Sequence, residues 1–287
     1  MSLGNNVRLV VVVPVYGNWT DTADCIRALL AQTTSEFRIL IADDGSPTLP
    51  PAELTSLDRV QYLVGENLGF AGNCNRAAEA AISDGATHLL FLNNDTEFSS
   101  DFVEGWLRAL AEYPGAVLSP VIYWVADRDR VWYSGGLMSV WIPFMRQRRK
   151  YSRVTRVDVI CGCAFLVPAV EWRTLGGFDR RYPMYFEDFD LAIRASQLSI
   201  PVLVMPDPQL AVWHRVSGSF RESGAWAREY RLTHAQLLFI RVHYQGLRRQ
   251  ICYALAAARL AAIFVLNLPN LPQPRALWRA LVPGRAQ

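Results

Sequence analysis

Residues 89–97 read LLFLNNDTE. Four apolar residues run straight into two asparagines and a single carboxylate, Asp95. A strand this apolar is buried on both faces. Its polar end is either a turn that stops the strand or one wall of a site at the strand's carboxyl end. The neighbouring strands decide between the two.

Upstream, Arg8 to Val13 is a β-branched run that ends in PVYGN, and FRILIADDGSP is another buried strand running into ADDGS. Between them, TDTADCIRALLAQT has the apolar spacing of a helix, with Thr20 or Asp21 as its N-cap. RVQYLV is a short strand, followed by ENLGFAGNCNRAAEAAISDGA, a glycine-rich loop opening an alanine-rich helix that stops at Gly85. Strand and helix alternate, which implies right-handed crossovers and a mostly parallel central sheet flanked by helices. Ligands of such sheets sit beyond the carboxyl ends of the strands. One Asp- or Asn-bearing turn is ordinary; three strands ending alike point to one shared crevice.

The chain has 287 residues, 51% hydrophobic and 19% charged, enough for one large domain or two small ones. A formal net charge of +3 is too small to argue for nucleic acid. From Tyr230 onward the only formal charges are arginines, so the first part is net acidic and the tail basic. This divides the chain into an α/β domain over residues 1–222 and a basic helical C-terminal region over 223–287. Five scattered cysteines, Cys161 and Cys163 among them, read as buried reduced thiols. The N-terminal apolar stretch is short and ended by Pro14, so it is a first strand and not a secretory signal, which predicts a cytoplasmic protein.

After Tyr113 the pattern loosens, and the basic run Arg146 to Lys150 reads equally as a solvated loop or as a lid over a phosphate-bearing ligand. VICGCAFLV is a buried strand, and PAVEWRTLGG a short helix begun by Pro168 and stopped by Gly176 and Gly177. Next comes the densest cluster, GGFDRRYPMYFEDFDLAIRA. Glu187, Asp188 and Asp190 open a helix, where acids suit the dipole. The aromatic neighbours Tyr182, Tyr185, Phe186 and Phe189 also form an apolar setting that raises a carboxylate's pKa, which suits a general base. In AVWHRVSGS, His214 ends a strand-like run.

The ordered set VVVPVYGN, IADDGSP, ENLGFAGNCNRA, LLFLNNDTE, CGCAFLV with GGFDRRYPMYFEDFDLAIRA, and VWHRVSGS resembles the inverting glycosyltransferases of family 2. Those enzymes have a GT-A fold, and the likeness is closest to their rhamnosyltransferase-like bacterial members. It spans roughly residues 8 to 220. The resemblance implies a nucleotide-sugar donor, dTDP- or UDP-linked, with Mg²⁺ or Mn²⁺ on its diphosphate. Asp43 and Asp44 then contact the nucleotide's base and ribose, and Pro14 and Tyr16 line the same pocket. Asn67, Gly69 and Asn75 shape its wall, and Asn94 faces the donor. The metal motif falls on Asn93-Asn94-Asp95, with Asn93 where relatives carry an acid, and His214 matches a position that helps hold the metal in some relatives. Asp188 becomes the base that deprotonates the acceptor hydroxyl, with Glu187 beside it.

Reaction physics asks for the same residue types. A departing diphosphate needs its charge neutralised, which a hard cation on one or two carboxylates can do. An alcohol nucleophile needs a base on the opposite face. The expected activity moves a sugar, rhamnose favoured, to a hydroxyl of a cell-surface glycan or lipid-linked acceptor in polysaccharide biosynthesis of the cell envelope. The alternatives are a nucleotidyltransferase, which commonly opens with a glycine-rich basic loop where this chain has PVYGN, and an inactive sugar-nucleotide-binding module.

In the tail, EYRLTHAQLLFIRVHY is helix-like. RRQICYALAAARLAAIFVLNLP is apolar but interrupted by Arg259 and marginal for crossing a bilayer. It reads as a helix lying on the inner membrane surface, its arginines meeting anionic headgroups, or as a partner contact; the competing reading is a packed helical subdomain.

Overall fold

A computed structural model describes residues 7–138, 145–147, 151–182, 184–215 and 224–266. The first half alternates as expected: β1 (Leu9–Val15), α1 (Trp19–Leu30), β2 (Phe37–Asp43), α2 (Ala52–Thr55), β3 (Val60–Val64), α3 (Gly69–Ser83) and β4 (His88–Leu92). There follow β5 (Thr96–Glu97), α4 (Phe102–Glu112), β6 (Val117–Pro120), β7 (Ile122–Trp124), β8 (Asp127–Tyr133), β9 (Gly136–Met138), β10 (Met145–Gln147), β11 (Thr155–Arg156) and β12 (Ala164–Pro168). The chain continues with α5 (Ala169–Leu175), α6 (Glu187–Gln197), β13 (Val202–Met205), β14 (Val212–His214), α7 (Gly224–His243) and α8 (Gly246–Leu266).

Eight strands form the central sheet in the order β11-β13-β6-β12-β4-β1-β2-β3. β3, β2, β1 and β4 run parallel, and so do β6 and β13. β12 runs antiparallel between β4 and β6. Successive residues of β1 feed opposite cores: Leu9, Val11 and Val13 pack with α1 and α4, whereas Val10 and Val12 pack with α3. On the second side Phe91 stacks on Phe165 at 4.7 Å and meets Trp172 at 4.8 Å. Truncating such a buried ring costs about 3–5 kcal/mol. A smaller sheet, β5-β14-β7-β8, stands beside the carboxyl end of β4.

The direction of β12 matters most for the site. Parallel strands deliver their carboxyl ends to one pole; an antiparallel strand delivers its amino end there. Cys163, just before β12, therefore stands opposite Asn93, just after β4, and its carbonyl accepts the Asn93 N–H at 2.8 Å.

Two local expectations shift. α1 is capped by Asn18, not by Thr20 or Asp21. Gly17 (φ 67°) and Asn18 (φ 50°) turn the chain through left-handed backbone, so the helix begins earlier and Asp21 falls in its first turn. The glycine-rich segment is not a loop ahead of α3; Gly69 and Gly72 already lie within the helix.

The C-terminal helices pack on the domain. Ala235, Phe239 and Ile240 of α7, Tyr244 just after it, Cys252 and Ala256 of α8, and Tyr182 form a third core, with Phe186 and Phe189 packed against it. Arg259, read from sequence as one of the arginines facing headgroups, instead pairs with Glu229 of α7 at 2.6 Å. The outer side of α8 leaves Leu247 (76% exposed), Ile251 and Leu255 uncovered. No helix of the described residues is long and apolar enough to cross a membrane. The side chains of Arg146–Lys150 and the arginines beyond residue 266 lie outside the described residues.

Candidate active site

At the ends of β1 and β2 the expected pocket residues form a braced rim. Asp43 Oδ1 accepts the Ser46 N–H at 2.9 Å, and its Oδ2 accepts the Tyr62 hydroxyl at 2.6 Å. Ser46 Oγ also receives the Gly17 N–H at 2.7 Å, tying the turn after Tyr16 to the Asp43 loop. Tyr16 itself is half exposed on the rim. Asp44 accepts the Leu68 N–H at 2.8 Å. Burial pushes the Asp44 carboxyl above its usual range, while the Leu68 and Gly69 amides and Arg76 pull it back. Arg76 lies beneath this loop and donates to the Asp43 carbonyl at 2.7 Å. A Cβ at Gly65 would fall 1.4 Å from its Nη1, so the guanidinium occupies the space that glycine leaves.

The wall residues separate. Asn67 Oδ1 accepts the Gly69 N–H at 3.3 Å and stays with the rim. Asn75 does not open onto a pocket through its amide: it donates to the Phe178 carbonyl and accepts the Phe178 N–H, both at 2.8 Å. It clamps α3 to the turn at Gly176 and Gly177. A Cβ at Gly177, which has φ +69°, would stand 2.5 Å from Asn75 Oδ1.

At the end of β4, Asp95 Oδ1 lies 2.9 Å from His214 Nε2. The imidazole is 3% exposed and the carboxylate 12%. β14 pairs antiparallel with β5, His214 opposite Thr96, and this register brings the two together. Arg215 N–H donates to the Asp95 carbonyl at 3.0 Å, and its guanidinium bridges Asp21 and Glu97, each at 3.0 Å. The Trp132 ring stands edge-on to His214 at 4.5 Å. Asn94 donates to Thr22 Oγ1 at 2.8 Å, tying the loop to α1.

Could this corner hold a divalent cation? The described residues contain no cluster of three or more His, Cys, Asp or Glu side chains suited to a metal. The donor set is a carboxylate and an imidazole, with Asn93 as a neutral oxygen donor nearby in the chain. Two ligands at adjacent corners of an octahedron with bonds of about 2.1 Å stand about 3 Å apart, close to the observed pair. His214 Nδ1 is buried without a hydrogen-bond partner among the described residues, so only the Asp95 carboxylate sets the tautomer, by accepting Nε2–H; a cation between the two would let Nε2 turn a lone pair to it while Nδ1 takes the proton. The residues fit a cation that a ligand's own phosphates and waters complete.

The second acid centre is different. Asp188 Oδ2 accepts the Gly162 N–H at 2.7 Å and Oδ1 accepts the Phe189 N–H at 2.8 Å. Burial pushes its carboxyl up to about 6 despite those amides. Burial, and then the Asp188 charge, push Glu187 well above the usual carboxylate range, and its Oε2 is buried with no partner among the described residues. Tyr185 (φ 71°) and Phe186 (φ 66°) enter the helix through left-handed backbone. Non-glycine side chains resist that conformation, and it persists only where the surroundings impose it.

Gly162 and Cys163 join the two centres: one residue's amide holds Asp188 and the next residue's carbonyl holds Asn93. Sequence reading took Cys161–Cys163 only as buried thiols. All five cysteines are free, Cys161 being only partly buried, and the Gly162 N–H and the Cys163 carbonyl do the bridging. The usable signal was a glycine before a buried strand, and here a Cβ would press on the Phe70 ring at 3.1 Å. A separate groove of about 520 Å³, lined by Arg8, Arg38 and Arg59 among others, lies at the opposite pole of the sheet, away from these acids.

The model of the family described as Glycosyl transferase family 2 matches residues 10–172. An N-acetylglucosaminyl-diphospho-decaprenol L-rhamnosyltransferase of Mycobacterium tuberculosis is 27% identical over 284 residues, covering 82% of this chain and 92% of that protein. An uncharacterized glycosyltransferase of Rickettsia conorii is 33% identical over 112 residues, 38% of this chain and 18% of that protein. Among solved structures, GalNAc-T7 with UDP, GalNAc and Mn²⁺ superposes with a TM-score of 0.60 at 14% identity, over 76% of this chain and 45% of its own. S. aureus TarS gives 0.55 at 15% identity, over 82% and 39%. At such identities the likeness to the two structures is one of fold, and this chain spans less than half of either.

Proposed function

The chain belongs to glycosyl transferase family 2 and is a glycosyltransferase of GT-A fold, and from that premise we propose that it transfers a sugar, rhamnose first, from a dTDP- or UDP-linked donor to a hydroxyl of a lipid-linked glycan with inversion. The Gly162–Cys163 bridge carries this proposal. It sets a carboxylate of raised proton affinity beside a separate carboxylate–imidazole pair, the division of labour that direct displacement requires.

In this reading the rim at Asp43, Asp44 and Tyr16 takes the nucleoside, and Asp95 and His214, helped by Asn93, would hold Mg²⁺ or Mn²⁺. When bound, the cation neutralises charge on the departing phosphate. Asp188 accepts the acceptor hydroxyl's proton as that oxygen attacks the anomeric carbon. Burial beside the Gly162 backbone and the nearby Phe70 ring raises its basicity into a range that suits a reaction near neutral pH. Burial and the neighbouring Asp188 charge both raise the proton affinity of Glu187, which stands beside the base. The mycobacterial relative acts on a diphospho-decaprenol, which supports a polyprenyl-diphosphate sugar as acceptor. The uncovered Leu247–Ile251–Leu255 side of α8, with Arg248 and Arg249 at its amino end, suits the surface of the anionic bilayer holding such a lipid.

Incubation with nucleotide sugars, Mn²⁺ and an N-acetylglucosaminyl-diphospho-polyprenol tests the transfer. The expected result is acceptor-dependent nucleoside diphosphate release, abolished by EDTA, with an inverted anomeric centre. Retention of configuration, or no release from any nucleotide sugar, overturns it. For the membrane contact, replacing Leu247, Ile251 and Leu255 by Glu should abolish flotation with phosphatidylglycerol vesicles; unchanged flotation removes that claim.

A further inference from the structure

The C-terminal helices do more than cover an apolar surface. We propose that His243 and Phe239 of α7 are positioning residues that hold the turn bearing Glu187 and Asp188 in its working shape. The inference rests on the assignment of Asp188 as the base.

Phe186 occupies the N-cap position of α6, immediately before Glu187, in left-handed backbone. Its ring is gripped from both sides: Phe189 stands at 5.4 Å and Phe239 of α7 at 5.1 Å. Without α7 that ring loses one wall, and the left-handed residues Tyr185 and Phe186 are free to relax. One turn further, Asp190 is 1% exposed and both its oxygens are engaged. His243 Nε2 lies 2.8 Å from Oδ1, and Arg194 Nε donates to Oδ2 at 2.8 Å. The Asp190 amide closes onto the Phe186 carbonyl at 2.9 Å. Arg194 reaches on to the Gly177 carbonyl at 2.9 Å, in the turn that Asn75 grips from α3. A continuous set of bonds thus runs from α7 through the acid helix to the donor half.

Apolar contacts alone would hold α7 against α6. A buried carboxylate meeting an imidazole adds direction, because the hydrogen bond fixes the rotation of α6 about its own axis. That rotation decides whether Asp188 meets the Gly162 amide. The other charged groups facing Asp190 are Arg194 on its own helix and, through the turn before it, the Arg181–Asp179 pair.

The test uses the full chain with the nucleotide sugar and acceptor that support turnover, comparing His243→Ala, His243→Gln, Phe239→Leu and Asp188→Asn. His243→Ala should lower kcat on the order of a hundred-fold, with donor KM within about two-fold, as expected for a misplaced base. Amide hydrogen exchange over residues 185–190 should quicken. His243→Gln, whose Nε2–H donates to Asp190, should recover most of kcat, and it carries the test if the alanine variant does not fold. Phe239→Leu should show a smaller loss of the same kind. Unchanged kcat and unchanged exchange at 185–190 in folded His243→Ala overturn the proposal, as does a His243→Gln variant as slow as His243→Ala. If Asp188→Asn turns over normally, the assignment of the base fails; if Asp188→Asn is dead while His243→Ala is fast, only the positioning role fails.

Discussion

Asp95 and Asp188 are the same residue type in one crevice, yet the fold treats them oppositely. Asp188, partly buried as Asp95 is, accepts two backbone amides, and burial pushes its carboxyl up to about 6. Asp95 faces an imidazole, is 12% exposed, and is bordered by the network in which Arg215 joins Asp21 and Glu97. The lesson is that surroundings assign the role. A carboxylate held by amides in an apolar setting is disposed to take a proton; in the proposed function, one beside an imidazole would instead share a bound cation.

Exchanging each acid for its neutral counterpart is the hardest blow to that contrast. Asp188→Asn should lower kcat by about 10²–10⁴, the usual worth of a general base, and leave donor binding measured by calorimetry within about two-fold. Near-normal turnover would move the base elsewhere, with Glu187 the first suspect. Asp95→Ala should cost about 10²–10³ in transfer, in line with loss of a main electrostatic contact to the leaving group. Here the donor-binding isotherm should lose its dependence on Mn²⁺; retained dependence would place the metal elsewhere.

Acidity separates the centres without mutation. As pH falls through about 6, Asp188 gains its proton, and kcat should drop about tenfold per pH unit below that point while donor KM holds. A kcat flat from pH 7 down to 5 would sink the base assignment. The sign for stability is the reverse of a salt-bridged acid's. The folded state holds this proton more tightly than the unfolded chain, so the group's contribution to stability falls as pH rises from the ordinary carboxylate range to about 6.

How much of this contrast was legible before the fold? The crevice was, because β-branched runs ending in PVYGN, ADDGS and NNDTE mark strand ends at one pole whatever the details. The acid-rich helix was also legible, since aromatic residues crowd its first turn. The direction of β12 was not: AFLVP is buried throughout, and a strand apolar on both faces carries no sign of which way it runs. The bridge at Gly162 and Cys163 follows from that direction, and on that loop it uses backbone groups, so the glycine before the strand was its only trace in the sequence. Nor could the tail be resolved, because an apolar helix face reads the same whether it meets lipid or protein. Arg259 read as an arginine for headgroups because Glu229, on the preceding helix, is brought to it only by the fold. His243 had no visible partner in sequence because Asp190 is brought to it only by the fold.

The smallest expected effect is the most discriminating. Asn93 precedes Asn94 and Asp95 in the loop, and its backbone is already occupied: its N–H bonds Cys163, and its carbonyl accepts Thr96 Oγ1 at 2.7 Å. Only its side chain is available to a ligand, and an amide oxygen brings no net charge. Asn93→Ala should therefore leave the Asp95–His214 pair in place and lower transfer by less than about tenfold, because a neutral oxygen contributes less than a charged one to a hard cation. Raising Mn²⁺ should recover most of the lost rate, since water replaces an amide ligand at modest cost. Asn93→Asp should act in the opposite direction, reducing the Mn²⁺ concentration needed for half-maximal rate. If Asn93→Ala is instead as damaging as Asp95→Ala, and added Mn²⁺ does not rescue it, charge is not what distinguishes this corner of the crevice. The contrast with Asp188 would then rest on geometry alone.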